Sequence, residues 1–421
     1  MMIIKMISFN ASLLLERAFP HKGIEISMLH MFDNQRHLGM DNDTGVPHFN
    51  LSGSVTLGLY YAKVNFGTPA KAFHVQVDTG SDLFWVSCST CKNCPKYSQL
   101  GIVKFFTPES SLTASSIGCY QSFCPHKHLG IKTSCLKGNL CGYTSSYADT
   151  IDTLGYFVSD LMRFDITYEN DTTATFSTNI IFGCTTSLTG FPTSRGPADG
   201  IIGLGHSEVS ILSQLASHEE VPKIFSHCLM GEGSGGGVLV FGEILEEDLI
   251  YTPLVPTRSH YNVDVEGIAI NGQNLPIDPK VFKSSRYRGA IFDSGFTFVS
   301  LIDEAYTPFA NNIKTALSHL VPVTGLGSDL CYESSTSKVE DFPIITFNFA
   351  GHATMNLKPE DYLVEGIAVS NSILYHSPPC FPINYLENRR KTNFVVTGPH
   401  SYKMHWYKKD GDQRGHNNRR Y

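Results

Sequence analysis

Hydrophobic and polar positions alternate through Tyr60-Tyr61-Ala62-Lys63-Val64-Asn65-Phe66, and again through Phe73-His74-Val75-Gln76-Val77. Gly67-Thr68-Pro69 separates the two runs. A period of two broken by Gly and Pro predicts two half-buried strands joined by a tight turn. Further short strands are predicted at Ile180-Ile181-Phe182, at Val238-Leu239-Val240-Phe241 and between Tyr261 and Ile270. Apolar residues recur at helical spacing only from Ser207 to Leu215 and from Glu304 to Leu320, so the chain reads as mostly β. The Gly-rich stretch Gly231 to Gly237 resembles a phosphate loop in composition. It lacks Gly-Lys-[Ser/Thr] and leads into a strand, which makes it a hairpin turn instead.

Composition fits this picture. The 421 residues, 42% apolar and 17% charged, exclude a disordered chain and supply two core-forming units at roughly 100–200 residues per domain. With 36 Gly, 21 Pro, 19 Tyr and 27 Phe, strands and turns are favoured over a helical bundle. Residues 16–56 are polar and mixed and read as a leader rather than core, with the compact part starting near Gly58. Met1 to Leu15 is apolar but interrupted by Lys5, Asn10 and Ser12 and has no small-residue cleavage site, so it resembles a damaged signal peptide. No run of 18 apolar residues occurs, and no integral membrane span is expected.

The net charge of −7 is unevenly placed. Nine Lys/Arg against three Asp/Glu from Phe381 onward give that end +6 and leave −13 for the rest. An acidic body repels phosphate backbones, which argues against nucleic acid as a partner, and the polar basic end reads as a disordered tail. Of the 11 cysteines, Cys88, Cys91, Cys94, Cys119, Cys124, Cys135 and Cys141 are closely spaced. The Cys88-x-x-Cys91-x-x-Cys94 run has no well-spaced second ligand pair for zinc, so disulfides in an oxidising compartment are expected, with connectivity open and one thiol left over. Sequons at Asn10, Asn42, Asn50 and Asn170 point the same way.

One chemical pattern occurs twice. An apolar run ends in Asp78-Thr79-Gly80, and another ends in Asp293-Ser294-Gly295, 215 residues later. Amide hydrolysis needs an activated water and a protonated leaving nitrogen; two adjacent carboxyls sharing one proton supply both functions. The Thr79 and Ser294 hydroxyls can fix the opposing loop, and Gly80 and Gly295 let the two backbones approach closely.

These residues, together with Gly58-Leu59-Tyr60-Tyr61, Asp78 through Val86, Ile181-Phe182-Gly183-Cys184, Asp199-Gly200-Ile201-Ile202-Gly203-Leu204-Gly205, Ile224 through Leu229 and Tyr261-Asn262-Val263, make the chain similar to pepsin-type aspartic endopeptidases. The likeness is to their Cys-rich plant branch and runs from about residue 16 to about residue 383. It implies a bilobal β-fold with a peptide cleft, a flap hairpin and a removable pro-segment. The expected divisions are a leader at 1–56, an N-terminal lobe at 57–250, a C-terminal lobe at 251–383 and an atypical basic tail at 384–421. It further implies Asp78 and Asp293 as the catalytic pair, Tyr147 as the flap tyrosine and Trp85 as its support. Cys331 is implied to pair with Cys380. From residue type alone Tyr147 and Trp85 also read as core aromatics, and Ser81 as a turn residue. The implied protein is a secreted or lumenal monomeric glycoprotein that cleaves internal peptide bonds of proteins at acidic pH, with no metal and no cofactor. The alternative is a catalytically impaired binding or inhibitor protein of the same fold.

Three departures from the family bear on that choice. Tyr147-Ala148-Asp149-Thr150-Ile151 lacks the two usual flap glycines, and Phe296, followed by Thr297, stands where a Thr is usual after the second Asp-Ser-Gly. Gly200-Ile201-Ile202-Gly203 is expected to thread beside the Asp78 loop, and no equivalent apolar-apolar-Gly segment is evident for Asp293. Beyond Asn384, only residues 394–398 and 406–410 are similar to the family's closing strands.

Overall fold

The computed structural model describes residues 2–7, 46–54, 59–98, 100–124, 131–147, 151–167, 173–190, 198–218, 221–230, 236–242, 249–285, 288–296, 299–322, 330–332, 339–365, 379–381, 384–385, 392–396 and 402–408. The two alternating runs form the antiparallel strands Leu59–Phe66 and Lys71–Asp78, turning through Gly67 at φ 90°. The other strands fall where the pattern placed them. Ile180 to Phe182 lies inside Thr173–Thr189, Val238 to Phe241 overlaps Gly236–Val240, and Asn262–Val263 and Val265–Ile270 follow Tyr261. Gly236–Val240 pairs antiparallel with Ile224–Met230, and residues 231–235 of the Gly-rich stretch lie outside the described residues. Both expected helices form, each shorter than its apolar pattern: Ile211–Ser217, capped by the Ser210 hydroxyl accepting from Ser213 N–H, and Asp303–Ala316.

Each acid-bearing strand is built into the same arrangement of neighbours. Lys71–Asp78 has Leu59–Phe66 antiparallel on one side and Gly200–Gly203 parallel on the other, with Gly203 opposite Asp78. Gly200–Gly203 then meets Trp85–Lys92, which runs parallel to Thr173–Thr189. In the second half Arg288–Phe292 has Asn262–Val263 antiparallel and Thr392–Val396 parallel, with Val396 opposite Phe292. Thr392–Val396 meets Ser300–Leu301, which runs parallel to Asn384–Tyr385. Asp293 therefore does have a supporting strand, contrary to the sequence reading. Phe394-Val395-Val396 has the β-branched and aromatic content to fill that role without the Gly-apolar-apolar-Gly pattern of its counterpart. Gly398 lies outside the described residues.

The ends of the chain also differ from the compositional reading. Val46–Ser54 pairs with Leu59–Phe66 and Gly236–Val240, and its Phe49 and Leu51 are buried, so core begins inside the segment read as leader. Tyr402–Lys408, from the basic end, lies between Met2–Ile7 and Ile224–Met230. Local composition could not reveal this, because the pairing partners lie some 180 or 400 residues away.

Disulfides join Cys88 to Cys184, Cys91 to Cys94, Cys119 to Cys135 and Cys124 to Cys141. The first staples two neighbouring strands of the large sheet. Cys331 and Cys380 stand opposite each other in an antiparallel pair. Among the described residues no helix is long and apolar enough to cross a membrane.

Under the first acid-bearing strand lies an aromatic cluster. The Phe66 ring sits 4.3 Å from Phe73, 4.9 Å from Phe182 and 5.2 Å from Phe106. All four rings are buried. Truncating Phe66 to Ala removes the one ring common to these contacts and should cost about 3–5 kcal/mol, read as a lower urea midpoint with an unchanged slope.

Candidate active site

Strand geometry delivers both Asp-[Ser/Thr]-Gly loops to one place. A Cβ added to Gly80 would overlap the Asp293 carboxyl, and one added to Gly295 would overlap the Asp78 carboxyl. Each acid thus rests on the other loop's glycine, which only a residue without a side chain permits. The loops hold each other by reciprocal hydrogen bonds. Thr79 N–H donates to Ser294 Oγ at 3.1 Å and Ser294 N–H to Thr79 Oγ1 at 2.9 Å. The same hydroxyls donate onward, Thr79 Oγ1 to Phe292 O at 3.2 Å and Ser294 Oγ to Val77 O at 2.8 Å. Thr79 is 1% exposed, so these bonds are protected from water. Each glycine N–H also donates back to the acid of its own loop, Gly80 to Asp78 Oδ1 and Gly295 to Asp293 Oδ1, both at 2.8 Å.

The first acid has a further set of donors. Ser81 Oγ–H donates to Asp78 Oδ2. Tyr147 is hydrogen-bonded to Ser81, and its hydroxyl accepts from Trp85 Nε1–H at 2.7 Å. Indole nitrogen can only donate, so the chain is polarised from Trp85 through Tyr147 and Ser81 towards the Asp78 carboxyl. Burial and the nearby Asp78 raise the Tyr147 phenol above its ordinary range, keeping it a neutral donor. Tyr147 leaves the end of the strand Leu140–Ser146, and its N–H closes onto Ile151 O at 2.7 Å at the base of the hairpin tip. Residues 148–150, where the two flap glycines are missing, lie outside the described residues.

In the second loop the position matching Ser81 is Phe296, half-buried, its N–H 3.5 Å from Asp293 O. A phenyl ring cannot donate the hydroxyl bond that Ser81 makes. Thr297 lies outside the described residues.

Three residues near the acids carried no role in the sequence reading. Tyr261 is buried between the two loops. Its hydroxyl donates to Leu204 O at 2.5 Å, Leu204 N–H donates to Asp78 O at 2.9 Å, and Tyr261 O accepts from Phe292 N–H at 3.1 Å. Gln76 reaches across with Nε2 3.4 Å from Gly295 O. Asp82 accepts from Ser207 N–H at 2.9 Å, and burial, reinforced by the negative charge of Asp78, pushes its carboxyl up to about 6. Asp199, prominent in the motif Asp199-Gly200-Ile201, is a structural acid: it accepts from His74 N–H at 2.7 Å and Lys104 N–H at 2.6 Å. Among the described residues no cluster of His, Cys, Asp and Glu could hold a metal ion.

Comparison with known proteins agrees with this architecture. Residues 60–243 match the family described as "Xylanase inhibitor N-terminal" and residues 260–368 the one described as "Xylanase inhibitor C-terminal". The chain is 30% identical over 367 residues to aspartic proteinase 36 of Arabidopsis thaliana, covering 86% of this chain and 75% of that protein. The chain belongs to the plant pepsin-like aspartic protease family. It is also 30% identical to aspartic proteinase 39 of the same plant over 372 residues, covering 86% of this chain and 75% of that one. To nepenthesin-1 of Nepenthes gracilis it is 27% identical over 321 residues, covering 73% and 68%. Among solved structures, basic 7S globulin from soybean shares the fold at a TM-score of 0.63 and 20% identity, covering 86% of this chain and 96% of the globulin. The bilobal fold expected from the sequence is thus the fold of this protease-family chain.

Asp82 gives the site a sign of pH dependence that can be measured. A carboxyl raised in the folded state from 3.8 to about 6 binds its proton preferentially there, adding stability at acidic pH that is lost as pH rises through that interval. Asp82→Asn keeps the acceptor for Ser207 and removes the charge. It should raise stability at pH 7 by about 2–3 kcal/mol and change it little below pH 4, measured by urea unfolding across that range.

Proposed function

We propose that the protein is an aspartic endopeptidase that hydrolyses internal peptide bonds of proteins at acidic pH, with Asp78 and Asp293 as a pair sharing one proton. The observation that carries this reading is the mutual seating of each carboxyl on the other loop's glycine. At such proximity ionising both acids at once is costly, which supports a pair that shares one proton. Asp78, on which the Gly80 N–H and the Ser81 hydroxyl converge, is the partner suited to carry the charge, and Asp293 the proton. A water held between them loses its proton to Asp78 as its oxygen attacks the peptide carbonyl, while Asp293 protonates the developing oxyanion. The proton held on Asp78 then passes to the leaving nitrogen as the C–N bond breaks, and one hydroxyl of the tetrahedral intermediate returns its proton to Asp293, giving the carboxylic acid and restoring the pair. Tyr147, Trp85 and Ser81 maintain the donor chain, and Thr79, Ser294, Gly80 and Gly295 maintain the seating. No cofactor enters this scheme, and the partner is a protein or peptide substrate bound by a monomer. Four disulfides fit a protein of the secretory pathway.

A second reading, a catalytically impaired binding or inhibitor protein, is favoured by Phe296 at the Ser81-equivalent position and by family descriptions that name xylanase inhibitors. One set of assays separates the two. Purified protein should cleave a denatured protein substrate at acidic pH, be blocked by pepstatin, and lose activity by about 100-fold or more in Asp78→Asn and in Asp293→Asn. Equal cleavage by Asp78→Asn defeats the protease reading. If the wild-type chain is silent, recovery in Phe296→Thr marks an impaired protease, and continued silence marks a cleft put to another use.

A further inference from the structure

The reciprocal bonds of Thr79 and Ser294 join the tips of the two acid loops. A separate path joins the backbone behind them, and it runs through Tyr261. Leu204 N–H donates to Asp78 O at 2.9 Å, the Tyr261 hydroxyl donates to Leu204 O at 2.5 Å, and Tyr261 O accepts at 3.1 Å from the N–H of Phe292, the residue before Asp293. A buried residue of the second half thus links the backbone of one acid to the backbone beside the other. Leu204 is itself held to the first loop on both flanks, where Gly203 N–H donates to Leu83 O at 3.2 Å and Gly205 N–H to Ser81 O at 2.9 Å. Aromatic neighbours hold the Tyr261 ring, its centroid 4.2 Å from that of His206 and 5.7 Å from that of Phe225. Burial, reinforced by the charge of Asp82, keeps the phenol well above its ordinary range, so it stays a neutral donor.

We propose that Tyr261 is a positioning residue of the acid pair: its hydroxyl is a strut between the two halves that sets how closely Asp78 approaches Asp293. This rests on the reading of those two acids as the catalytic pair. The strut acts through Leu204 and Phe292 and moves no proton itself. Two carboxyls that share a proton titrate in steps whose separation grows with their coupling, and coupling falls as they move apart. Without the hydroxyl, Leu204 O loses its donor from the second half and the Asp78 loop is released on that side, so the two steps draw together. The exchange between Thr79 and Ser294 remains, which makes the expected change a weakening of the pair and not its loss. Other titratable groups surround this path. Asp82 and Tyr147 of the first half and His260 of the second lie in the field of Asp78, and His206 lies against the Tyr261 ring. Tyr261→Phe removes none of them, so a changed separation reports the geometry of the pair.

The test compares Tyr261→Phe with Val263→Ala, which truncates a buried neighbour in the same stretch, both in the intact chain. Carbon-13 NMR titration of the aspartate carboxyls, with the pair assigned through Asp78→Asn and Asp293→Asn, needs no catalysis. The two apparent pKa values of the pair should lie about one pH unit closer together in Tyr261→Phe and keep the wild-type separation in Val263→Ala. In the protease assay Tyr261→Phe should lower kcat by about tenfold and hold KM within about twofold. An unchanged separation in Tyr261→Phe overturns the proposal, and so does equal narrowing in both variants, which marks a general loosening of the fold. A raised KM at unchanged kcat also overturns it. Failure of Tyr261→Phe to fold assigns the hydroxyl to the stability of the whole chain, and the inference is lost. A wild-type chain without activity at any pH sinks the protease reading alone, leaving the titration to decide on Tyr261.

Discussion

Two carboxyl groups from opposite halves of the chain are held side by side, and the backbone around them is shaped by that constraint. Carboxylates repel, and nothing in a pair of Asp side chains keeps them adjacent. Here the backbone does it. Thr79 and Ser294 exchange N–H to hydroxyl bonds and spend their own hydroxyl protons on the carbonyls of Phe292 and Val77. Every donor and acceptor in that exchange comes from the opposite half of the chain, so neither loop has this shape alone. The glycines complete the fit by leaving room where a methyl group would collide with an acid.

The frame is symmetric, but what surrounds it is not. Both halves repeat the parallel strand beside the acid-bearing strand, with Gly200–Gly203 in one and Thr392–Val396 in the other. Only the first loop receives the chain of donors running from Trp85 through Tyr147 and Ser81. The second presents Phe296 at that position. The two acids thus sit in unlike surroundings although their loops are built alike. This difference explains why the question of activity turns on the second loop.

Acidic conditions act on this fold in opposing senses. Asp82, pushed up to about 6 by burial, adds stability as the pH falls. His227, wholly buried and lowered to about 3, withdraws stability as the pH falls from the ordinary histidine range towards that value, because the unfolded chain takes up the proton first. His227 is displaced further from its ordinary value than Asp82 is, so at the acid end its loss outweighs the Asp82 gain.

The residues by themselves announced the fold class and marked the two loops that meet. Two Asp-[Ser/Thr]-Gly sequences at the ends of apolar runs, and period-two strands punctuated by Gly and Pro, are local patterns that survive without any knowledge of neighbours. Pairings over long separations stayed hidden: the role of Phe394-Val395-Val396 beside Asp293, and the strands recruited from a basic end and from a polar beginning. Tyr261 stayed hidden too, since a tyrosine before a strand carries no local mark of what it touches. Hydrogen-bond partners 57 to 217 residues away decide such roles, and only the folded chain brings them within 3 Å or so of one another.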